Sequence, residues 1–204
     1  MIRFKLFVIF VGFIFCVTKI SIAQVVSNQA TQSPSGAQEA EVELYAKSPP
    51  LDLNLTQLEY PYPVHFFDTQ LGGVKVKMAY MDVMPVGKPR GNVILFHGKN
   101  FSSDYWGSTI KDLTQAGYRV IAPDQIGFGK SSKPEVAYHF DDLCANTFQL
   151  LKHLHVRQVN VVANSMGGMV GVRFVRLYPK TVRRLVLENP IGLEDYSKIG
   201  RAHV

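Results

Sequence analysis

The chain has 204 residues, with 22 Lys and Arg against 16 Asp and Glu, a formal net charge of +6. Arg3, Lys5 and Lys19 fall in the first 23 residues, which hold no acid, so the rest carries only +3 (19 basic against 16 acidic residues). With no Lys/Arg stripe interleaved with aromatics, that balance argues against a nucleic-acid partner.

The N-terminus predicts export. Met1-Ile2-Arg3-Phe4-Lys5 is a basic start, Leu6 to Val17 is uncharged and apolar, and Ser21-Ile22-Ala23 is a small-x-small exit. Residues 1–23 therefore read as a signal peptide cleaved before Gln24, which places the protein in the periplasm or outside the cell. The alternative is an uncleaved anchor, although the apolar run is short for a span of about 20 residues. No stable membrane partner is expected after cleavage. Cys16 leaves with this segment. Cys144 stays as a lone cysteine, so no intrachain disulfide is available and the core must carry the fold. Cys144 lies in a helical pattern and reads as a small buried hydrophobe.

Residues 24–57 are rich in Ser, Gln, Ala and Pro and read as a disordered leader or linker. The folded part is expected over 58–198. Strands are predicted over Val64 to Thr69 and Val74 to Val83, joined as a hairpin through Leu71-Gly72-Gly73. Asn92 to Phe96 is apolar on both faces and should be a central, buried strand. A helix follows from about Ser103 to Ala116, capped at Ser103/Asp104 and stopped by Gly117. Then come a strand from Tyr118 to Ala122, a Gly/Ser/Lys/Pro loop from Gln125 to Pro134 and a helix from Phe140 to Leu154. A strand from Gln158 to Ala163, a helix from Met166 to Tyr178 and a strand from Val182 to Glu188 complete the pattern. Repeated β-α-β units with short connections predict an α/β fold, a mostly parallel doubly wound sheet with helices on both faces.

The most informative run is Val159-Asn160-Val161-Val162-Ala163-Asn164-Ser165-Met166-Gly167-Gly168. A β-branched strand ends in a small-x-Ser-x-Gly corner and a helix starts at once, the context of a nucleophile elbow. Such a corner exposes the Ser165 hydroxyl. It also places the Met166 N–H at a helix N-terminus, where the dipole favours a developing negative charge. Ala163 and Gly167 suit the corner because a bulky Cβ on either side of it would collide. Ala163 stands where Gly is usual.

Two more motifs end predicted strands: His97-Gly98, and Pro123-Asp124-Gln125-Ile126-Gly127-Phe128-Gly129. With the Ser165 corner in this order, the chain resembles the α/β-hydrolase family over about Tyr60 to Leu193. All three motifs fall at the edge where open α/β sheets bind ligands. The resemblance implies that Ser165 is the nucleophile and that the Met166 N–H, with that of Lys99 or Asn100, forms an oxyanion hole. It makes His97 and Gly98 structural parts of the oxyanion loop. Asn164, Ala163, Gly167 and Gly168 shape the elbow. A Ser at the corner argues against relatives that use Asp there, such as haloalkane dehalogenases and epoxide hydrolases.

The other polar residues receive modest readings. Asp124 is expected to be a loop carboxylate holding backbone N–H groups. Gly127-Phe128-Gly129-Lys130-Ser131 is not a phosphate loop, because Asp124 stands where that motif needs Gly. Trp106 and Phe101 either line the pocket or pack the first helix, and core is the preferred reading. His153 and His155 sit at a helix end, and His65 and His139 are too scattered for a metal site. No metal and no cofactor are expected, and the partner is a small-molecule substrate.

The resemblance accounts for six strands of a usual eight, so the fold reads as truncated after about the sixth strand. The family's base is a histidine beyond the last strand and its acid follows a late strand, and neither has a counterpart here. Residues 199–204 resemble a translated sequencing adapter and are expected to be a non-native tail. The expected function is therefore that of a longer parent: a serine hydrolase acting on an ester-like or related bond, with the 204-residue chain itself inactive. The alternatives are a catalytically silent binding protein on this fold and a membrane-tethered interaction module.

Overall fold

A computed structural model of the chain describes Phe7–Val8 and residues 51–193. The rest of the predicted signal segment, most of the linker and the 199–204 tail lie outside the described residues. The chain divides into Met1–Ile9 with Asp52–Val204, and Phe10–Leu51. All that follows concerns the first of these units.

Among the described residues seven strands form one sheet: β1 (Phe7–Val8), β2 (Val64–Leu71), β3 (Val74–Val83), β4 (Gly91–Phe96), β5 (Tyr118–Pro123), β6 (Val159–Asn164) and β7 (Val182–Glu188). Their order is β1-β7-β6-β4-β5-β3-β2. β2 pairs antiparallel with β3, and β3 with β5, while all other pairs are parallel. The α/β fold and its mostly parallel sheet stand as expected. β1 was not anticipated. It pairs Phe7 with Val186 and Val8 with Leu187, at the β7 edge of the sheet.

β4 is central, between β6 and β5, as its unbroken apolar run requires. Its side chains alternate between two cores. Ile94 and Phe96 join the cluster that contains Leu143, Leu150, Val170 and Phe174, whereas Val93 and Leu95 join Trp106, Ile110 and Val120. The first cluster lies under α2 (Phe140–His153) and α3 (Met166–Leu177), the second under α1 (Gly107–Gln115). α2 has Asp141 and Asp142 in its first turn and Lys152 and His153 in its last, both favourable to the helix dipole. α3 is held by the edge-to-face contact of Phe174 with Phe96, centroids 5.8 Å apart, and truncating such a buried ring costs about 3–5 kcal/mol.

Two expectations need correction. The helix predicted from Ser103 begins as a 3₁₀ turn, Ser103–Trp106, and becomes α-helical only at Gly107. The Ser103/Asp104 cap does not form: neither N-terminus of this stretch has a side-chain cap hydrogen bond, and the Ser103 N–H is taken by the buried Asp124 carboxylate (2.6 Å). Phe101 is not core: it is 59% exposed, whereas Trp106 is 3% exposed. Cys144 is fully buried, and burial pushes its thiol pKa up to about 12, so it stays protonated and unreactive. Among the described residues no helix is long and apolar enough to cross a membrane.

Candidate functional site

β4, β5 and β6 deliver their C-terminal ends to one edge of the sheet. Ser165 follows β6 at once and stands immediately before α3. Its backbone lies at φ 51 and ψ −119, a region that side-chain-bearing residues rarely occupy. The turn is pinned on both sides. The Ser165 N–H donates to the Glu188 carbonyl (3.1 Å), and the Ser165 carbonyl accepts from Gly168 (2.9 Å) and Ile191 (3.2 Å). Ser165 itself is half-buried.

Glycines set how closely this turn approaches its neighbours. A Cβ on Gly167 would lie 2.3 Å from the Phe96 carbonyl oxygen and 2.7 Å from that of His97. Backbone cannot yield as a side chain can, so the first turn of α3 presses on the end of β4 only because residue 167 has no side chain. A Cβ on Gly98 would lie 3.2 Å from both Ser165 Cβ and Asn164 Oδ1. On Gly168 it would meet Pro190 at 2.6 Å. Ala163 is fully buried and packs on Gly171, whose added Cβ would lie 3.0 Å from that of Ala163. The 97–100 loop is thereby held against Ser165. Lys99 and Asn100 are exposed in it, and Asn100 has a left-handed backbone (φ 64). As the first residue of α3, Met166 carries one of the helix-terminal N–H groups that have no intrahelical acceptor.

His97 ties this loop to β5. It is fully buried, its Nε2 accepts the Gln125 N–H (2.9 Å), and its Nδ1 lies 2.9 Å from the Gly98 carbonyl oxygen. That pair of contacts fixes the neutral tautomer with the proton on Nδ1. Burial holds the pKa below the ordinary histidine value. With both nitrogens engaged, His97 cannot take a proton from Ser165. Among the described residues no side chain is hydrogen-bonded to Ser165 Oγ.

Asp124 is a buried structural hub. Its carboxylate accepts from the N–H of Ser103 (2.6 Å), the N–H of Lys130 (2.8 Å) and the hydroxyl of Tyr60 (2.8 Å). It thus binds the entry segment, the start of the first helix and the Gln125–Pro134 loop into one base under the site. Burial, then the Asp124 charge, raises the Tyr60 phenol pKa. Sequence reading missed this use of Tyr60, since nothing local to Tyr60-Pro61 points to a partner 64 residues away.

The other histidines scatter. His153 ends α2, His155 lines a depression at the opposite edge with Gly91, Arg157 and Lys180, and His65 packs on Tyr80. His139 differs: it lines a cleft of about 270 Å³ together with Met166 and Phe128. Among the described residues no group of three His, Cys, Asp or Glu is placed to hold a metal ion. Glu188 was also passed over. It ends β7 in register with Asn164, and its carbonyl holds the Ser165 N–H.

Residues 91–202 match the family model described as alpha/beta hydrolase fold, more than half of the chain. The chain belongs to the α/β-hydrolase fold family. Among curated relatives, a haloalkane dehalogenase of Mycolicibacterium paratuberculosis is 32% identical over 134 residues, 64% of this chain and 44% of that protein. Among solved structures, a "probable hydrolytic enzyme" from Pseudomonas aeruginosa is 47% identical with a TM-score of 0.72, covering 76% of this chain and 50% of that one. A bromoperoxidase from Bacillus anthracis is 31% identical with a TM-score of 0.55, covering 63% and 45%. The chain spans about half the length of these relatives. In this α/β-hydrolase the three motif-bearing strand ends meet at a single edge, as the sequence resemblance implies.

Proposed function

We propose that the full-length protein is a serine hydrolase acting on an ester-like or related small-molecule bond, with Ser165 as nucleophile. The observation that carries the reading is the positive φ of a serine at a turn pinned between β6, β7 and α3. In the proposed reaction Ser165 Oγ attacks the substrate carbonyl carbon as its proton passes to a base. The carbonyl oxygen takes up negative charge and is held by the Met166 N–H with that of Lys99 or Asn100. Each such donor contributes about 3 kcal/mol of transition-state stabilisation. The tetrahedral intermediate expels the leaving group, and water then releases the acyl group from Ser165. We assign the base to a histidine outside the described residues, because both His97 nitrogens are occupied and no described histidine is hydrogen-bonded to Ser165 Oγ.

Likeness to a haloalkane dehalogenase does not extend to this chemistry. A serine oxygen that displaced halide from an alkyl carbon would be left as an ether, which water does not cleave, whereas its attack on a carbonyl carbon gives an ester that water releases. A serine at this corner therefore suits acyl transfer. Hydrolysis of p-nitrophenyl acetate by the full-length protein, compared with Ser165→Ala, tests the reading. Turnover is expected to fall by at least about 10³-fold in the variant. Unchanged turnover refutes the assignment, and no turnover in either protein favours a catalytically silent binder on the same fold. We further propose export, with a mature N-terminus at Gln24; that cleavage removes β1, so the β1–β7 pairing belongs to the unprocessed chain. An intact Met1 on protein recovered in a detergent fraction would favour the membrane-tethered alternative.

A further inference from the structure

We infer that the cleft beside Met166 holds an apolar side group of the substrate, a single ring or short branched chain borne next to the reacting carbonyl. This inference rests on the Ser165 reading above and names the substrate class that site takes.

The cleft has a volume of about 270 Å³. Ligand pockets run from about 300 to 1,000 Å³, so this one suits a small group and not a long chain. Its walls come from three elements that all bear on the site. Met166 is the residue after Ser165. Phe128 stands edge-on to His97, with ring centroids 5.4 Å apart. Tyr138 and Phe140 enter from the start of α2, with Leu143 beneath them. The cleft therefore borders the first turn of α3 directly through Met166, and it is linked to the 97–100 loop through the packing of Phe128 on His97.

The shape of this cleft depends on one glycine. Gly127 has φ +99, and a Cβ there would lie 2.9 Å from Cε1 of Tyr138. Its absence lets the Tyr138 ring lie against the loop as a wall, while the Tyr138 hydroxyl donates to the Pro134 carbonyl (2.9 Å) and turns the polar end away. Burial holds the Tyr138 phenol above its ordinary pKa, so it is uncharged at neutral pH. Among the described residues that line the cleft, His139 is the only ionisable one apart from that phenol. The larger neighbouring cleft, about 430 Å³, differs in carrying charged side chains on its wall, Arg176 and the paired Asp141 and Arg173.

Two measurements on the full-length protein decide the matter. The first needs no turnover: binding of phenylacetamide, followed by calorimetry or NMR titration, in wild type and Tyr138→Ala. Tyr138 is 41% exposed, so truncating it leaves the core in place, and thermal melting checks that it does. Saturable binding by wild type is expected, weakened at least about fivefold in the variant by loss of the ring wall. No saturable binding up to the solubility limit, or equal affinity in the two proteins, overturns the inference. The second is the ratio of kcat/KM for ethyl phenylacetate to that for ethyl acetate. It is expected to exceed one in wild type and to fall at least about fivefold in Tyr138→Ala; an unchanged ratio overturns the inference. Absence of turnover on both esters counts against the serine reading alone, since the binding measurement still decides the cleft.

Discussion

The β2–β3 hairpin and the β6–α3 junction both reverse the chain sharply, and both need positive φ. In the hairpin the strained positions are Gly72 (φ 57) and Gly73 (φ 79), residues that accept them without steric penalty. At the junction Ser165 occupies the strained position (φ 51), and glycines stand two and three residues later, where the helix meets β4 and Pro190. A turn needed only for reversal places glycine at the strain. A turn that keeps a hydroxyl-bearing residue there bears about 1–3 kcal/mol of strain, which accords with the proposed role of that hydroxyl as nucleophile.

The contrast can be broken or sharpened by substitution in the full-length protein. The largest effect on stability is expected from Gly167→Ala, whose methyl would meet backbone oxygens at 2.3 and 2.7 Å. Denaturant unfolding should show a loss of about 3 kcal/mol or more, the upper end for overpacking. A loss under about 1 kcal/mol would mean that α3 can shift away from β4.

Asp124→Asn comes next. It removes charge from a carboxylate that holds three donors, and should cost about 1.5–3 kcal/mol in the same assay. Gly73→Ala has nothing within 4 Å of the new methyl and should cost only backbone strain, about 1–2 kcal/mol. If Gly73→Ala proved as damaging as Gly167→Ala, close packing would not be what distinguishes the two turns.

Ser165→Gly gives the sharpest contrast. Relief of about 1–2 kcal/mol of left-handed strain outweighs a glycine entropy cost of about 0.5–1 kcal/mol. The variant should be slightly more stable than wild type, with hydrolysis lost. Reduced stability would show that the Ser165 side chain holds the fold.

The smallest effect concerns pH. Burial depresses the His97 pKa, so the unfolded chain binds the proton more readily than the folded one. Its contribution is full above the ordinary histidine value of 6.5 and declines as the pH falls below it toward the lower folded-state value. The urea midpoint should therefore drop between pH 7.5 and 5.5, by less in His97→Gln. An equal drop in both proteins would locate the proton elsewhere.

Much of this was legible in the sequence, for identifiable reasons. β3 and β7 were predicted at their observed bounds because their ends are marked by breakers, Gly72-Gly73 and Asn189-Pro190. The Ser165 corner was legible because its chemistry is local, with strand, serine and glycines within ten residues. What was not legible depends on partners far apart in the chain. The Ser103 N–H is held by Asp124, Tyr60 reaches the same carboxylate, and Phe101 stays outside the core. His139 was set aside as an isolated histidine, yet the start of α2 brings it to the cleft beside Met166. β1 pairs with a strand more than 170 residues later, and no local pattern announces that.

The central claim is that Ser165 is held out as a nucleophile, and covalent labelling tests it most directly. Full-length protein would be treated with a fluorophosphonate, digested, and the adduct mapped by mass spectrometry. One adduct per chain on Ser165, absent from Ser165→Ala, is the expected result. An adduct on another residue, or none on a folded protein that hydrolyses ester, would contradict the account.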